Sequence, residues 1–141
     1  MRFIATDNQR VTLHELEAAL KQITPEGSVR PTPPGDLYAE VAVEGDVHAE
    51  LEINIPGDDI FEEEIDELGE PVEWYSDTPQ KARVLQTLDD AQWIACFLLL
   101  QPGWETDVVD RLCDWLLENY EGLLEVDGEG YFDKENIVLE F

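Results

Sequence analysis

Apolar positions alternate in twos along some stretches of this chain and recur every three or four residues along others. Those are the periods of strand and helix. Residues 2–6 are a short apolar segment that predicts a strand. Thr12 followed by Glu15 makes a capping box, and Val11 and Leu16 fall at the positions of a hydrophobic staple. Leu13, Leu16, Leu20 and Ile23 then continue at helical spacing, and Pro25 and Gly27 end the helix, leaving His14 and Glu17 on its outer face. Pro31, Pro33, Pro34 and Gly35 predict a stiff connection.

A hairpin follows. Leu37, Ala39, Val41 and Val43 alternate with Tyr38, Glu40, Ala42 and Glu44. Beyond Glu44-Gly45-Asp46, Val47, Ala49, Leu51, Ile53 and Ile55 alternate with His48, Glu50, Glu52 and Asn54. A three-residue loop pairs Val43 with Val47 and brings both apolar sets to one face. The other face then sets Glu40 opposite Glu50, Tyr38 opposite Glu52 and His48 opposite Ala42.

Pro56-Gly57 breaks the alternation. Residues 58–70 (DDIFEEEIDELGE) carry a narrow helical stripe of Ile60, Phe61, Ile65 and Leu68, ended by Gly69 and Pro71. Residues 73–76 read as a packed connection. Thr78 caps a third helix with Pro79 at its first position, and Ala82, Leu85 and Leu88 supply its apolar face up to Asp90. Residues 93–100 (WIACFLLL) are continuously apolar and too short for a core helix, which predicts a central strand covered on both faces. Thr106 caps a fourth helix, with Asp107 in its first turn. Val108, Val109, Leu112, Cys113, Leu116 and Tyr120 line its buried side, and Gly122 ends it. Segments 123–126, 131–133 and 137–141 predict a closing hairpin bent at Gly128 and Gly130.

The expected order is therefore β-α-β-β, two helices, then β-α-β-β. This predicts an α+β fold, a duplicated βαββ-like arrangement whose antiparallel or mixed sheet carries its helices on one face. At 141 residues the chain is expected to be one globular domain, 1–141.

Charge narrows the partners. Thirty-four Asp and Glu face 8 Lys and Arg, for a net charge of −26. Such a chain repels nucleic acid and anionic membrane unless a local basic patch intervenes. Lys21, Lys81 and Lys134 with Arg2, Arg10, Arg30, Arg83 and Arg111 make no such patch. Basic proteins, polyamines and metal cations remain as electrostatic partners. No apolar stretch approaches the roughly 20 residues of a spanning helix, and residues 1–5 are too few for a signal core. A cytoplasmic location follows as the expectation, with Cys96 and Cys113 as buried, reduced thiols.

Motifs for chemistry are sparse. Ser28 and Ser76 lie outside any G-x-S-x-G turn, and Cys96 sits in an apolar run that disfavours a thiolate. His14, His48, Cys96 and Cys113 lack the close spacing of zinc ligands. Asp127, Glu129 and Asp133 do not follow a calcium-loop pattern. Phosphate-binding loops are absent. We assign no catalytic residue, metal or cofactor.

Two acidic faces and a few aromatics remain. On the helix over 58–70, Asp59–Glu63, Glu62–Asp66, Glu63–Glu67 and Asp66–Glu70 are like-charge pairs four residues apart. Each costs about 0.2–0.5 kcal/mol in an isolated helix. On the hairpin, Glu40 opposite Glu50 is unfavourable in a sheet, and Glu52 lies beside them. These residues nominate a docking surface for a basic protein or polycation, as in an inhibitor, an immunity-type factor or a nucleic-acid mimic. A second reading is a small-ligand domain whose cleft uses the connection aromatics Trp74, Tyr75 and Trp104. A third is a small enzyme. A fourth takes the acidity as adaptation to high salt.

Overall fold

The computed structural model describes residues 1–100 and 107–141, and these hold eight strands and four helices. Their order is β1 (Arg2–Ala5), α1 (Leu13–Ile23), β2 (Gly27–Thr32), β3 (Gly35–Val43), β4 (Asp46–Asn54), α2 (Asp59–Glu73), α3 (Pro79–Asp89), β5 (Trp93–Leu99), α4 (Asp107–Asn119), β6 (Gly122–Val126), β7 (Gly130–Phe132) and β8 (Ile137–Glu140). All strands join one open antiparallel sheet in the order β2-β3-β4-β5-β1-β6-β7-β8.

Helix starts follow the local chemistry. Thr12 Oγ1 accepts from the Glu15 N–H at 3.1 Å and donates to Glu15 Oε1 at 3.0 Å. Asp58 accepts from Ile60 N at 3.0 Å, and Thr78 accepts from Lys81 N at 3.1 Å. These caps satisfy N–H groups that the first helical turn leaves open. Thr106 lies outside the described residues.

Helices cover both faces of the sheet, against the expectation of one. Along β1, Phe3 and Ala5 join a core with α1 and α4, whereas Ile4 joins a second core with α2 and α3. Strand β5 divides likewise, with Trp93, Ala95 and Phe97 on the first side and Ile94 and Cys96 on the second. The central strands are apolar on both faces because both faces are packed. The sheet order does not show a duplicated βαββ arrangement. Each half runs β-α-β-β-β, and the halves meet the centre differently. In the first, the last strand β4 abuts β5; in the second, it is β6, the strand that follows α4, that abuts β1.

Local differences have local causes. Residues 27–32 form β2, where a stiff connection was expected; as an edge strand it tolerates Pro31. The β3–β4 turn has two residues, with Glu44 at φ 54° and Gly45 at φ 86°, the left-handed pair that suits the strand twist. Val43 therefore meets Asp46 and Ala42 meets Val47, and a register shift follows between Ala42–Val47 and Val41–Ala49. The pairs Glu40–Glu50 and Tyr38–Glu52 form as expected.

Helix α2 continues through Pro71 to Glu73, so Gly69 and Pro71 do not end it. In α3 the buried side chains are Lys81, Val84 and Leu88, while Ala82 is exposed. The Lys81 ammonium donates to the carbonyls of Glu73 and Tyr75, both at 3.0 Å, and to Asp77 Oδ1 at 3.2 Å. A cation thus closes the C-terminal end of α2, where the helix dipole favours it. The C-terminal strands make a three-stranded meander, not a hairpin.

Candidate functional site

Residues of one register row cross the sheet on its α2 side: Tyr38, Glu52, Cys96, Arg2, Glu125 and Tyr131. Alternation places Glu40 and Glu50 on this same side, one pair further along the hairpin. Leu98 pairs with Glu50, and Arg30 pairs with Glu40 from the edge strand.

Helix α2 covers only part of this side. Its carboxylate Glu64 reaches the row from above. Cys96 Sγ donates to Glu64 Oε1 at 2.7 Å, and Asn54 Nδ2 donates to Glu64 Oε2 at 3.2 Å. The Tyr131 hydroxyl donates to the Leu68 carbonyl at 3.2 Å, fixing the middle of α2 over β7. Over the hairpin no described helix covers the sheet. A shallow groove of about 460 Å³ runs there, lined by Thr32, Tyr38, Glu40, Glu50, Glu52 and Leu98. Leu98 is 60% exposed at its floor, although β5 is otherwise a core strand.

The acidic residues nominated from sequence divide by burial. Asp59, Glu62, Glu63, Asp66 and Glu67 are exposed on α2; Glu50 is exposed in the groove, with Glu40 and Glu52 half-buried. The fold thus gathers two sets, separate in the chain, on one side of the sheet. Burial pushes the Glu52 carboxyl up, reinforced by the charges of Glu64 and Asp58. The aromatics do not converge. Trp74 is 86% exposed at the end of α2. Tyr75 turns inward, its ring 6.1 Å from that of Phe141. Trp104 lies outside the described residues.

The structure adds a cluster that sequence reading did not find. Arg2 lies among four carboxylates. Its Nη1 is 3.5 Å from Glu125 Oε2 and 3.9 Å from Asp127 Oδ1, its Nη2 is 3.5 Å from Glu67 Oε2, and its Nε is 3.8 Å from Glu64 Oε1. Burial opposes the guanidinium charge, but Glu125, Glu64, Cys96 and Asp127 outweigh it and hold Arg2 above its ordinary value. Glu125 is 5% exposed, and its Oε1 has no partner among the described residues. Burial, then a hydrogen bond and charge from Asp127, push Glu125 up to about 7. That same hydrogen bond holds Asp127 below its ordinary value. Of the two carboxyls, Glu125 is therefore the one that more readily takes a proton. The signal was present in the chain, as one charged residue in each of two apolar strands, RFIA and GLLEV.

Neither cysteine is poised as a nucleophile. Burial raises the Cys96 thiol above its ordinary value, and the hydrogen bond and charge of Glu64 raise it further; burial raises Cys113. They belong to opposite sides of the sheet and are free thiols. Among the described residues no group of His, Cys, Asp and Glu is arranged to hold a metal, and no helix is long and apolar enough to cross a membrane. Compared with protein-family models, with curated proteins and with solved structures, the chain finds no match.

Proposed function

We propose that this chain is a non-enzymatic docking protein for a basic protein surface. One observation carries the reading: α2, with its exposed acids, and the groove carboxylates Glu40, Glu50 and Glu52 lie on the same side of the sheet. Leu98 supplies an apolar floor between them. Lys or Arg side chains of a partner would relieve the like-charge repulsion along α2 and across Glu40–Glu50. Their aliphatic stems would cover Leu98 and Tyr38. A charge this large steers such a partner at low salt and disfavours others.

The test begins with capture of the partner from the source cells at low salt, followed by binding of the purified pair. The variant E62K/E63K/D66K is expected to weaken binding by tenfold or more, about 1.4 kcal/mol, and E50K by a similar factor. Unchanged affinity in both variants removes this surface as the docking site. Capture of only a broad mixture of basic proteins, with strong stabilisation of the fold by molar KCl, points instead to salt adaptation.

A further inference from the structure

One guanidinium serves four carboxylates from two different elements, and none of the four separations reaches the roughly 2.7–2.9 Å of a strong charge-assisted hydrogen bond. Glu64 and Glu67 belong to α2, whereas Glu125 belongs to β6 and Asp127 follows it directly. The two pairs compete for Arg2. We infer that this cluster is a proton-operated latch on α2: with Glu125 protonated Arg2 ties down Glu64 and Glu67, and with Glu125 ionised it is drawn to β6 and the helix is held more loosely.

The geometry around Glu125 makes its proton the controlling one. Its neighbours are Arg2 from β1, Tyr131 from β7 and Asp127 beyond β6. Glu64 and Glu67 reach it from α2 through Arg2. Cys96 from β5 and Glu52 from β4 continue the row, and the Met1 amino group lies 4.0 Å from Asp127. Ionising Glu125 places a second negative charge beside Asp127, with Oε1 buried and unpartnered. An anion in that position claims the nearest cation or unsettles its surroundings. Arg2 is that cation, and Glu64 and Glu67 lose what it gives up. Glu64 also holds Cys96 and Asn54, so the helix keeps those contacts and loosens without detaching. The value of about 7 for Glu125 places the change near neutrality.

Helix α2 carries the acidic docking face, so the latch tunes how firmly that face is presented; this use of it rests on the docking reading. The latch itself is tested without a partner. Amide hydrogen exchange is measured at about pH 6 and about pH 8, corrected for intrinsic rates, with α3 as the internal reference. Protection of residues 61–68 is expected to fall about tenfold across that interval in the wild type, relative to α3. In Glu125→Gln, which mimics the protonated carboxyl, it is expected to stay at the acid-side value. Equal loss of protection in the wild type and Glu125→Gln overturns the latch. Should that variant fail to fold, the Glu125 carboxyl of the wild type is titrated by carbon NMR. A midpoint near 7 that coincides with the loss of α2 protection upholds the latch, and a midpoint near the ordinary 4.5 overturns it. A failed charge-reversal test would leave these outcomes standing, so the two readings fail separately.

Discussion

Single side chains in this protein do work that their residue types do not announce. Lys81 is 8% exposed in a chain whose other lysines lie at 21 and 134. Its ammonium donates to two carbonyls at the end of α2 and to Asp77. Lys81→Met keeps the stem and removes the three donors. It should cost about 1–3 kcal/mol, the penalty of leaving buried acceptors unpaired, read as a lower urea midpoint at unchanged slope. Asp77→Asn should leave the urea midpoint nearly unchanged, because Asp77 is fully exposed and surface pairs contribute little. Equal losses in both variants would show that the carbonyls matter less than the ion pair.

At the scale of elements, α2 decides what the molecule presents. It is fastened by Phe61, Leu68 and Val72, all buried in the second core. Leu68→Ala is expected to cost about 2–5 kcal/mol by chemical denaturation, with protection lost first in α2 and its neighbour α3. Much of this element was legible in the chain as the stripe of Ile60, Phe61, Ile65 and Leu68, of which only Ile60 is left exposed. Its end was not. Pro71 is an ordinary stop signal by its missing donor, yet burial of Val72 and the Lys81 ammonium carry the helix past it. Strand β2 was hidden for a related reason. A proline-rich stretch reads as a connection until the sheet order shows an edge in need of a partner. The hairpin pairs Glu40–Glu50 and Tyr38–Glu52 could be derived because both strands alternate cleanly, but the loop length was misjudged by one residue. The Arg2 cluster needed the sheet order, since Arg2 and Glu125 are neighbours only when β6 lies beside β1.

Across the whole molecule the raised carboxyls act together. Glu52, Asp110, Asp114 and Glu125 are all pushed up, each first by burial. A carboxyl raised in the folded state binds its proton more tightly there than in the unfolded chain. Its stabilising contribution is complete below the unfolded value and is lost as pH rises through the folded one. The fold is therefore expected to be more stable near pH 5 than near pH 8, with the decline running from the ordinary carboxyl values of 3.8 and 4.5 up to about 7. Asp127 and Asp133 are held low and oppose this only below their ordinary 3.8. Thermal melts across that range check the sign, and Glu125→Gln should flatten the upper part of the decline. A melting temperature that climbs steadily from pH 5 to pH 8 would contradict it.

The same distribution of charge underlies the docking reading. At −26 the chain favours a basic partner, and the acids of α2 and of the groove lie on the same side of the sheet. The most direct test is calorimetric binding of the captured basic partner, at salt from about 0.05 M to about 0.3 M, where the Debye length shrinks to several ångström. The wild type should bind near 1:1 with affinity falling steeply over that range, and E62K/E63K/D66K should bind more weakly with a shallower salt slope. Equal affinity and equal slope for the two proteins would contradict docking through this face.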